Sequence, residues 1–228
     1  MARTDRTIVA MGGLSWDDAE RRRLEDYVLG LAGSDWPKVL FVPTASADEP
    51  AMSLLVHTQL GDRAQVSHLP FFPWPPPDLR KQVLAQDVLY VAGGNTANAL
   101  AVWRAHGFDA VLREAWEAGV VLAGWSAGMI CWFEAGVTDS YGPQLEGMRD
   151  GLGFLPGSAC PHYDAEELRR PVYARLVAEG FPSGVAADDL VGLRYEGTEL
   201  AEVVSGRPGA GAYRVTPDGE EPLERRLL

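Results

Sequence analysis

Short, uninterrupted hydrophobic runs recur along the first half of the chain, and each is four or five residues long. They show no regular alternation of polar and apolar positions, which is typical of strands buried on both faces of a parallel sheet. We predict a strand at each run, namely at Thr7–Met11, Val39–Val42, Val66–Leu69, Val88–Val91 and Val120–Ala123.

Helical patterns lie between most of these runs. One begins at Ser15, which can cap it, and its apolar positions follow at helical spacing. Two more cover Asn95–Ala105 and Phe108–Ala118. Strands that alternate with helices predict an α/β fold in three layers, with a mostly parallel central sheet and helices on both faces.

The last third of the chain has a different pattern. A predicted helix at Ala165–Glu179 is followed by short apolar segments, which turn-forming Gly, Pro and Asp residues separate. The segments are Gly184–Ala187, Val191–Tyr195, Leu200–Val204 and Ala212–Val215. We interpret them as a C-terminal strand meander that completes one edge of the sheet. The composition shows no break, so residues 1–228 are expected to form a single α/β domain.

Charge and composition narrow the classes of function. The chain has 228 residues and a formal net charge of −12, which disfavours nucleic acid and anionic membranes as partners. It has two cysteines and no long apolar stretch near its amino terminus, so we expect a cytoplasmic protein that has no membrane partner.

The most informative motif is GWSAG at Gly124–Gly128, between a predicted buried strand and a predicted helix. Its two glycines suit a strained turn that projects the hydroxyl of Ser126 above the sheet. The amide of Ala127, at the start of the helix, points to where a carbonyl oxyanion would form. A second glycine-rich turn, GGNT at Gly93–Thr96, follows another predicted strand and can supply a further amide. These features predict a nucleophilic serine.

A nucleophilic serine requires a base, and histidine is the usual one. Among the four histidines, His162 lies in a loop between a short apolar stretch and a predicted helix, where catalytic groups of open α/β sheets are found. The acid that orients the imidazole is sought between Ser126 and His162. Asp139, in a turn-rich segment, is favoured over Glu134, which we place on or at the end of the helix that follows Ser126.

In these motifs the chain resembles the peptidase E and cyanophycinase family of serine peptidases. The resemblance extends from about Thr7 to Tyr195, and it is carried by GGNT at Gly93–Thr96, GWSAG at Gly124–Gly128 and CPHY at Cys160–Tyr163. It implies a fold similar to that of class I glutamine amidotransferases, which carry cysteine where this family carries serine.

The resemblance also implies roles for individual residues. Ser126 is expected to be the nucleophile and His162 the base, with an oxyanion hole formed by the amides of Gly94 and Ala127. It points to Asp139 as the acid, and it implies that neither a metal nor another cofactor is needed. The expected activity is hydrolysis of short peptides by a dipeptidase or aminopeptidase that is a monomer or a homodimer.

One departure from the family concerns the substrate. Aspartate-specific dipeptidases follow the histidine with a long glycine-rich loop and a basic helix, whereas the segment after His162 is short and acidic here. Arg169 or Arg170 could replace the basic contact or belong to the helix surface, so specificity for N-terminal aspartate is left open. Further candidates for substrate binding are Asn95, Thr96 and Trp125.

Two other classes of function are compatible with parts of the pattern. An esterase of the α/β-hydrolase fold shares the serine turn, but the short separation between Ser126 and His162 argues against it. A non-catalytic small-molecule binding module on a glutaminase-like fold would not need Ser126 and His162, so the presence of both argues against it. Cys160, which is close to His162 in the chain, is a further candidate for a reactive thiol.

Overall fold

Two β-sheets form the framework of this protein, and a computed structural model describes residues 6–15 and 17–228. Within those residues one sheet has eight strands and the other six. In chain order the strands are β1 Thr7–Met11, β2 Lys38–Val42, β3 Gln65–His68, β4 Val88–Val91, β5 Val121–Trp125, β6 Phe133–Thr138, β7 Glu146–Met148, β8 Leu155–Cys160, β9 Gly184–Ala187, β10 Val191–Glu196, β11 Glu199–Ser205, β12 Ala212–Thr216, β13 Gly219–Pro222 and β14 Arg226–Leu227.

The helices are mostly short. Helices α1 to α5 connect strands of the larger sheet, α6 leads from β5 to the smaller sheet, and α7 connects β8 and β9 of the smaller sheet. In chain order they are α1 Asp18–Gly30, α2 Pro50–Leu60, α3 Leu79–Leu84, α4 Thr96–Ala105, α5 Phe108–Glu117, α6 Ala127–Ile130 and α7 Arg169–Ala178. A single 3₁₀ turn, Thr44–Ser46, lies between β2 and α2.

The larger sheet has the strand order β14-β11-β10-β1-β5-β4-β2-β3. Strands β1, β5, β4, β2 and β3 run parallel to one another, and the hairpin of β10 and β11 is added antiparallel to β1. The five hydrophobic runs found in the sequence are therefore the parallel part of this sheet. The mixed α/β fold and the mostly parallel sheet are confirmed.

The inner parallel strands β1, β2, β4 and β5 are almost entirely apolar because both of their faces are covered. In β1, Val9 and Met11 pack with α1 and α2 in one core, whereas Ile8 and Ala10 belong to the core on the opposite face. Helices α3, α4 and α5 cover that opposite face. A strand with a helical layer on each side cannot expose either set of alternating side chains, which explains its unbroken hydrophobicity.

The smaller sheet has the order β13-β12-β9-β8-β6-β7, and its outer face packs against α7. The predicted C-terminal meander is divided between the two sheets: β10 and β11 extend the larger sheet, while β9 and β12 pair in the smaller one. The expectation that these segments complete a single edge is wrong, since the pairing partner of each strand is set by contacts distant in sequence.

Local chemistry at the start of α1 also differs from the prediction. The residue that caps the helix is Asp17, whose carboxylate accepts hydrogen bonds from the amides of Ala19 and Glu20. Ser15 lies before the cap and accepts a hydrogen bond from the amide of Asp17.

None of the helices in residues 6–15 and 17–228 combines the length and the apolar character that a membrane span requires.

Candidate active site

The turn that carries Ser126 is strained and tightly packed. Ser126 lies between β5 and α6 with φ 57° and ψ −111°, a conformation that non-glycine residues rarely adopt. Its amide donates to the carbonyl oxygen of Met11 at 3.1 Å. A Cβ atom at Gly124 would lie 2.6 Å from the carbonyl oxygen of Gly128, and one at Gly128 would lie 2.5 Å from that of Val91. Both glycines are therefore required for this turn.

Two backbone amides near Ser126, those of Ala127 and Gly94, have no backbone acceptor among the described residues. Ala127 is the first residue of α6, so its amide lies outside the ladder of hydrogen bonds of the helix. Gly94 follows β4 with φ 130°, and a Cβ atom there would lie 2.2 Å from the carbonyl oxygen of Ala45. Within the described part of the chain, neither amide donates to a backbone carbonyl. Because β4 and β5 are parallel neighbours, their turns meet at one edge of the sheet.

His162 is held by a carboxylate. It follows β8 with φ 53°, and its Nδ1 atom lies 2.7 Å from Oδ1 of Asp189, which follows β9. The two strands are parallel neighbours, so their carboxyl ends bring the side chains together. The amide of Asp189 in turn donates to the carboxylate of Asp164 at 2.9 Å. With Nδ1 bonded to Asp189, the Nε2 atom of His162 is left for a second partner.

The pair of His162 and Asp189 is joined to the larger sheet through Gly13. This residue follows β1 and forms a parallel bridge with Asp189, while its carbonyl oxygen accepts from the amide of Leu190 at 2.9 Å. A Cβ atom at Gly13 would lie 2.0 Å from Oδ1 of Asp189 and 2.7 Å from Cε1 of His162. A side chain at this position is therefore incompatible with the observed geometry.

Among the described residues, neither of the two acids proposed from the sequence is hydrogen-bonded to His162. Glu134 is in β6 and not on a helix after Ser126, and its carboxylate accepts from the amide of Gly157 at 2.8 Å. Asp139 follows β6 and has an exposed side chain. Among the described residues the carboxylate in contact with His162 is that of Asp189, so the structure departs from the expectation for both acids.

Asp189 lies outside the interval between Ser126 and His162 in which an acid was expected. The signal that could have found it is the step Asp188-Asp189 at the end of the predicted strand Gly184–Ala187, since functional groups collect at the carboxyl ends of parallel strands. The glycine pair after β1, Gly12 and Gly13, was a second signal, because adjacent glycines indicate a close approach of backbone to another group.

Two clefts meet at Ser126. The apolar cleft has a volume of about 360 Å³, and it is bordered by Ser126 and His162. Its hydrophobic lining consists of Leu14, Met52, Leu55, Val56 and Trp125. The polar cleft has a volume of about 240 Å³ and is lined by Gly94, Asn95, Ser126, Asp139, Glu166 and Arg169.

Three of the residues predicted to bind substrate line these clefts. Trp125 lines the apolar cleft and stacks on Phe41, with 6.0 Å between ring centroids and 5° between planes. Asn95 lines the polar cleft, but its side chain also caps α4 and donates to the carbonyl oxygen of Ser140. Arg169 lines the polar cleft and pairs with Glu166 at 2.7 Å.

The other two predicted residues do not line either cleft. Thr96 is the first residue of α4 and only 1% exposed. Arg170 forms an ion pair with Glu220 and lies over the rings of Tyr163 and Tyr213. Thr96 is thus buried at the start of α4, whereas Arg170 packs against side chains of the smaller sheet.

The cysteines lie in apolar surroundings that suppress reactivity. Cys131 and Cys160 are both free and buried. Burial raises the pKa of the Cys160 thiol to about 12 and that of Cys131 well above its usual value. Since the thiolate is the nucleophilic form, neither thiol is activated at neutral pH.

In the described ranges there is no group of three or more His, Cys, Asp or Glu side chains that could hold a metal ion.

Ser126 and His162 border the same cleft. Within residues 6–15 and 17–228, no hydrogen bond joins the hydroxyl of Ser126 to His162, although both line the apolar cleft. Catalytic hydrogen bonds of this kind are often long without substrate and shorten when it binds. A serine in a strained strand-to-helix turn, a histidine paired with a carboxylate and two available amides together define a serine hydrolase.

Comparison with known proteins specifies the family. The chain matches Peptidase family S51 over residues 8–203, so it belongs to this family of serine peptidases. It is 46% identical over 211 residues to the uncharacterised peptidase YgaJ of Bacillus subtilis (strain 168), covering 91% of each chain. The resemblance to peptidase E inferred from the motifs is confirmed, and an α/β-hydrolase esterase or a non-catalytic module no longer describes the chain.

Solved structures show the same fold at low sequence identity. A peptidase from an acI-B1 actinobacterium superimposes with a TM-score of 0.69 at 17% identity, covering 96% of this chain and 94% of the other. A protein assigned as peptidase E, from Listeria monocytogenes EGD-e, gives a TM-score of 0.63 at 17% identity, covering 96% and 100%. These similarities support the glutamine amidotransferase-like architecture predicted from the sequence.

Proposed function

We propose that this chain hydrolyses short peptides with a free amino terminus through a triad of Ser126, His162 and Asp189. The observation that carries the proposal is the 2.7 Å contact between Nδ1 of His162 and Oδ1 of Asp189, beside the strained turn of Ser126. A carboxylate in this position fixes the tautomer in which Nε2 can accept a proton.

The proposed reaction has two acyl-transfer steps. His162 Nε2 takes the proton of Ser126 as its hydroxyl oxygen attacks the peptide carbonyl carbon, and the oxyanion is stabilised by the amides of Gly94 and Ala127. His162 then donates that proton to the leaving nitrogen, and the C–N bond breaks. Water repeats the sequence on the acyl-enzyme, releasing the first residue and restoring Ser126. Asp189 stabilises the imidazolium that forms in each step.

Recognition of a free amino terminus is assigned to Asp139. Asp139 lines the polar cleft together with Ser126, and the residue is exposed. Within the described part of the chain, its side chain forms no hydrogen bond or ion pair. An ammonium group bonded to a carboxylate in a cleft gains a charge-assisted hydrogen bond, which an acylated amine cannot form. The role of Asp139 is therefore substrate binding, which explains an acid in this segment without placing it in the triad.

The polar cleft does not favour aspartate as the first residue of the substrate. Arg169 is only 3% exposed, and its guanidinium donates to Glu166 and to the carbonyl oxygen of Val137. The cleft therefore contains the two carboxylates of Asp139 and Glu166 against one guanidinium that is already paired. A substrate aspartate would add a further negative charge, so we propose that a neutral first residue is preferred.

The proposal is tested with Ala-Leu, Asp-Leu and N-acetyl-Ala-Leu, by measuring the release of leucine. The expected order of kcat/KM is Ala-Leu above Asp-Leu, with N-acetyl-Ala-Leu at least tenfold below Ala-Leu, the size of loss expected when a charged partner is left unpaired. Asp139→Asn should raise KM for Ala-Leu and reduce the ratio of kcat/KM for Ala-Leu to kcat/KM for N-acetyl-Ala-Leu. Equal turnover of the free and acetylated peptides would contradict the assignment of Asp139.

The cellular compartment is a further part of the proposal. Both cysteines are free and buried in the structure, which fits a reducing environment. The net charge of −12 disfavours nucleic acid as a partner. We therefore place the enzyme in the cytoplasm, acting on small peptides.

A further inference from the structure

We infer that the apolar cleft at Ser126 binds the side chain of the residue that leaves with the new amino group, and that it selects large apolar residues at that position. This inference rests on the proposed function, because it assigns a specificity to the same site. It concerns the residue after the scissile bond, which the polar cleft does not contact.

The direction of the substrate follows from the position of His162. The leaving nitrogen must receive its proton from His162 Nε2, so the residue that carries this nitrogen lies on the His162 side of Ser126. Among the described residues, His162 borders the apolar cleft and is not part of the polar cleft. The polar cleft therefore takes the first residue with its ammonium group, and the apolar cleft takes the leaving residue.

The lining of the apolar cleft matches an apolar side chain. Met52, Leu55 and Val56 come from one face of α2, Leu14 from the loop after β1, and Trp125 from the end of β5. A volume of about 360 Å³ lies at the small end of the range for ligand pockets. Transfer of a leucine or phenylalanine side chain from water into such a lining is favourable, whereas glycine gains nothing.

One wall of the cleft is already in place without a ligand. Trp125 contacts the rings of Phe41, at 6.0 Å, and Tyr90, at 5.1 Å, measured between ring centroids. A Cβ atom at Gly93 would lie 2.8 Å from Nε1 of Trp125, so the indole packs closely against the glycine turn. A preformed wall loses little conformational entropy when substrate binds, which improves selectivity for side chains that contact it.

The charged group at the margin of the cleft does not select an acidic leaving residue. Arg21 lines the cleft, but its guanidinium donates to Glu25 at 3.1 Å, to Asp18 at 2.6 Å and to the carbonyl oxygen of Ser15 at 3.4 Å. All three of its nitrogen atoms are thus bonded within the protein. An aspartate side chain in the apolar cleft would lose its hydration without gaining a free cation.

The helix α2 offers a matched pair of variants. Leu55 lines the apolar cleft, whereas its neighbour Leu54 is 69% exposed and does not. The experiment measures kcat/KM of the full chain for Ala-Leu, Ala-Phe, Ala-Asp and Ala-Gly, in the wild type, Leu55→Asn and Leu54→Asn. The rate of fluorophosphonate labelling at Ser126 serves as the check that each variant retains an assembled active site.

We expect the wild type to hydrolyse Ala-Leu and Ala-Phe at least about tenfold faster than Ala-Gly or Ala-Asp, the scale of discrimination of a hydrophobic pocket. Leu55→Asn should reduce the ratio of Ala-Leu to Ala-Gly severalfold, and Leu54→Asn should leave it unchanged. Equal turnover of Ala-Leu and Ala-Gly, or an equal effect of both variants on their ratio, would overturn the inference while leaving the peptidase proposal intact. No hydrolysis of any of the four dipeptides would overturn both.

Discussion

The imidazole of His162 and the carboxylate of Asp189 form a 2.7 Å contact that neither residue could make through local chain geometry. They follow β8 and β9, which are parallel neighbours in the smaller sheet, and Gly13 at the end of β1 bridges Asp189 to the larger sheet. Ser126, the proposed nucleophile, directly follows β5 of that larger sheet. The proposed triad is therefore assembled across the junction of the two sheets.

The first prediction separates the three carboxylates that have been considered for the triad. Asp189→Asn should lower kcat by about 10³–10⁴-fold with little change in KM, because an amide no longer fixes the productive tautomer of His162. Glu134→Gln is the matched control, since Glu134 contacts the amide of Gly157, and its kcat should stay within about twofold. Steady-state hydrolysis of Ala-Leu measures each variant, with circular dichroism to verify folding.

A contrary result would be just as specific. If Asp189→Asn kept the kcat of the wild type while Asp139→Asn lost it with KM unchanged, the acid would be Asp139, as the sequence motif suggested. The proposed role of Asp139 in binding the ammonium group would then also be withdrawn.

The second prediction concerns the space at Gly13. Gly13→Ala would place a Cβ atom 2.0 Å from Oδ1 of Asp189, so the carboxylate and the imidazole must move apart. A displacement of about 1 Å at a catalytic group can cost about 10²-fold in rate. We expect a loss of that size in kcat. Gly30→Ala is the control, because a Cβ atom there has nothing within 4 Å, and its kcat should equal that of the wild type.

Thermal unfolding of both glycine variants adds a second readout. The atoms that a Cβ at Gly13 would meet belong to the side chains of Asp189 and His162. Gly13→Ala should therefore lower kcat strongly and change the unfolding temperature little. A variant Gly13→Ala with full activity would show that the pair can rearrange without loss, and that the observed contact is not required.

The third prediction concerns the cysteines. With the pKa of Cys160 at about 12, a fraction of only about 10⁻⁴ is thiolate near pH 8. Iodoacetamide should therefore leave the native protein unmodified under conditions that alkylate both cysteines after unfolding, and Cys160→Ala should retain kcat. Intact mass measures the modification. Rapid alkylation of native Cys160 together with loss of activity would instead indicate a catalytic thiol.

Much of the fold could be predicted from the sequence, because hydrophobic runs and turn glycines are local patterns of residues. Strands β1 and β4 were predicted with their observed bounds, since unbroken hydrophobic runs are characteristic of strands covered on both faces. The turns that carry Ser126 and Gly94 were also found, because their glycines are required by contacts within the turn or with the adjacent strand. Steric contacts within a turn restrict which residue types can occupy it, so such turns can be recognised in the sequence.

The smaller sheet was less accessible for a physical reason. Strands β6 and β8 read FEAGVT and LPGSAC, and their glycines, small residues and proline give weak hydrophobic patterns. Their pairing therefore could not be inferred, and without it nothing placed Asp189 beside His162. The same gap explains why Glu134 was expected on a helix, and why the C-terminal strands were assigned to one sheet edge.

The most direct test of the central claim is the intact mass of the wild type and of Ser126→Ala after treatment with a fluorophosphonate. Activation of Ser126 by His162 and Asp189 predicts one adduct per wild-type chain, mapped to Ser126 by peptide mass analysis, and none on the variant, which should also fail to hydrolyse Ala-Leu. An adduct of equal yield on Ser126→Ala, or hydrolysis of Ala-Leu by that variant at the wild-type rate, would contradict the assignment of Ser126 as the nucleophile.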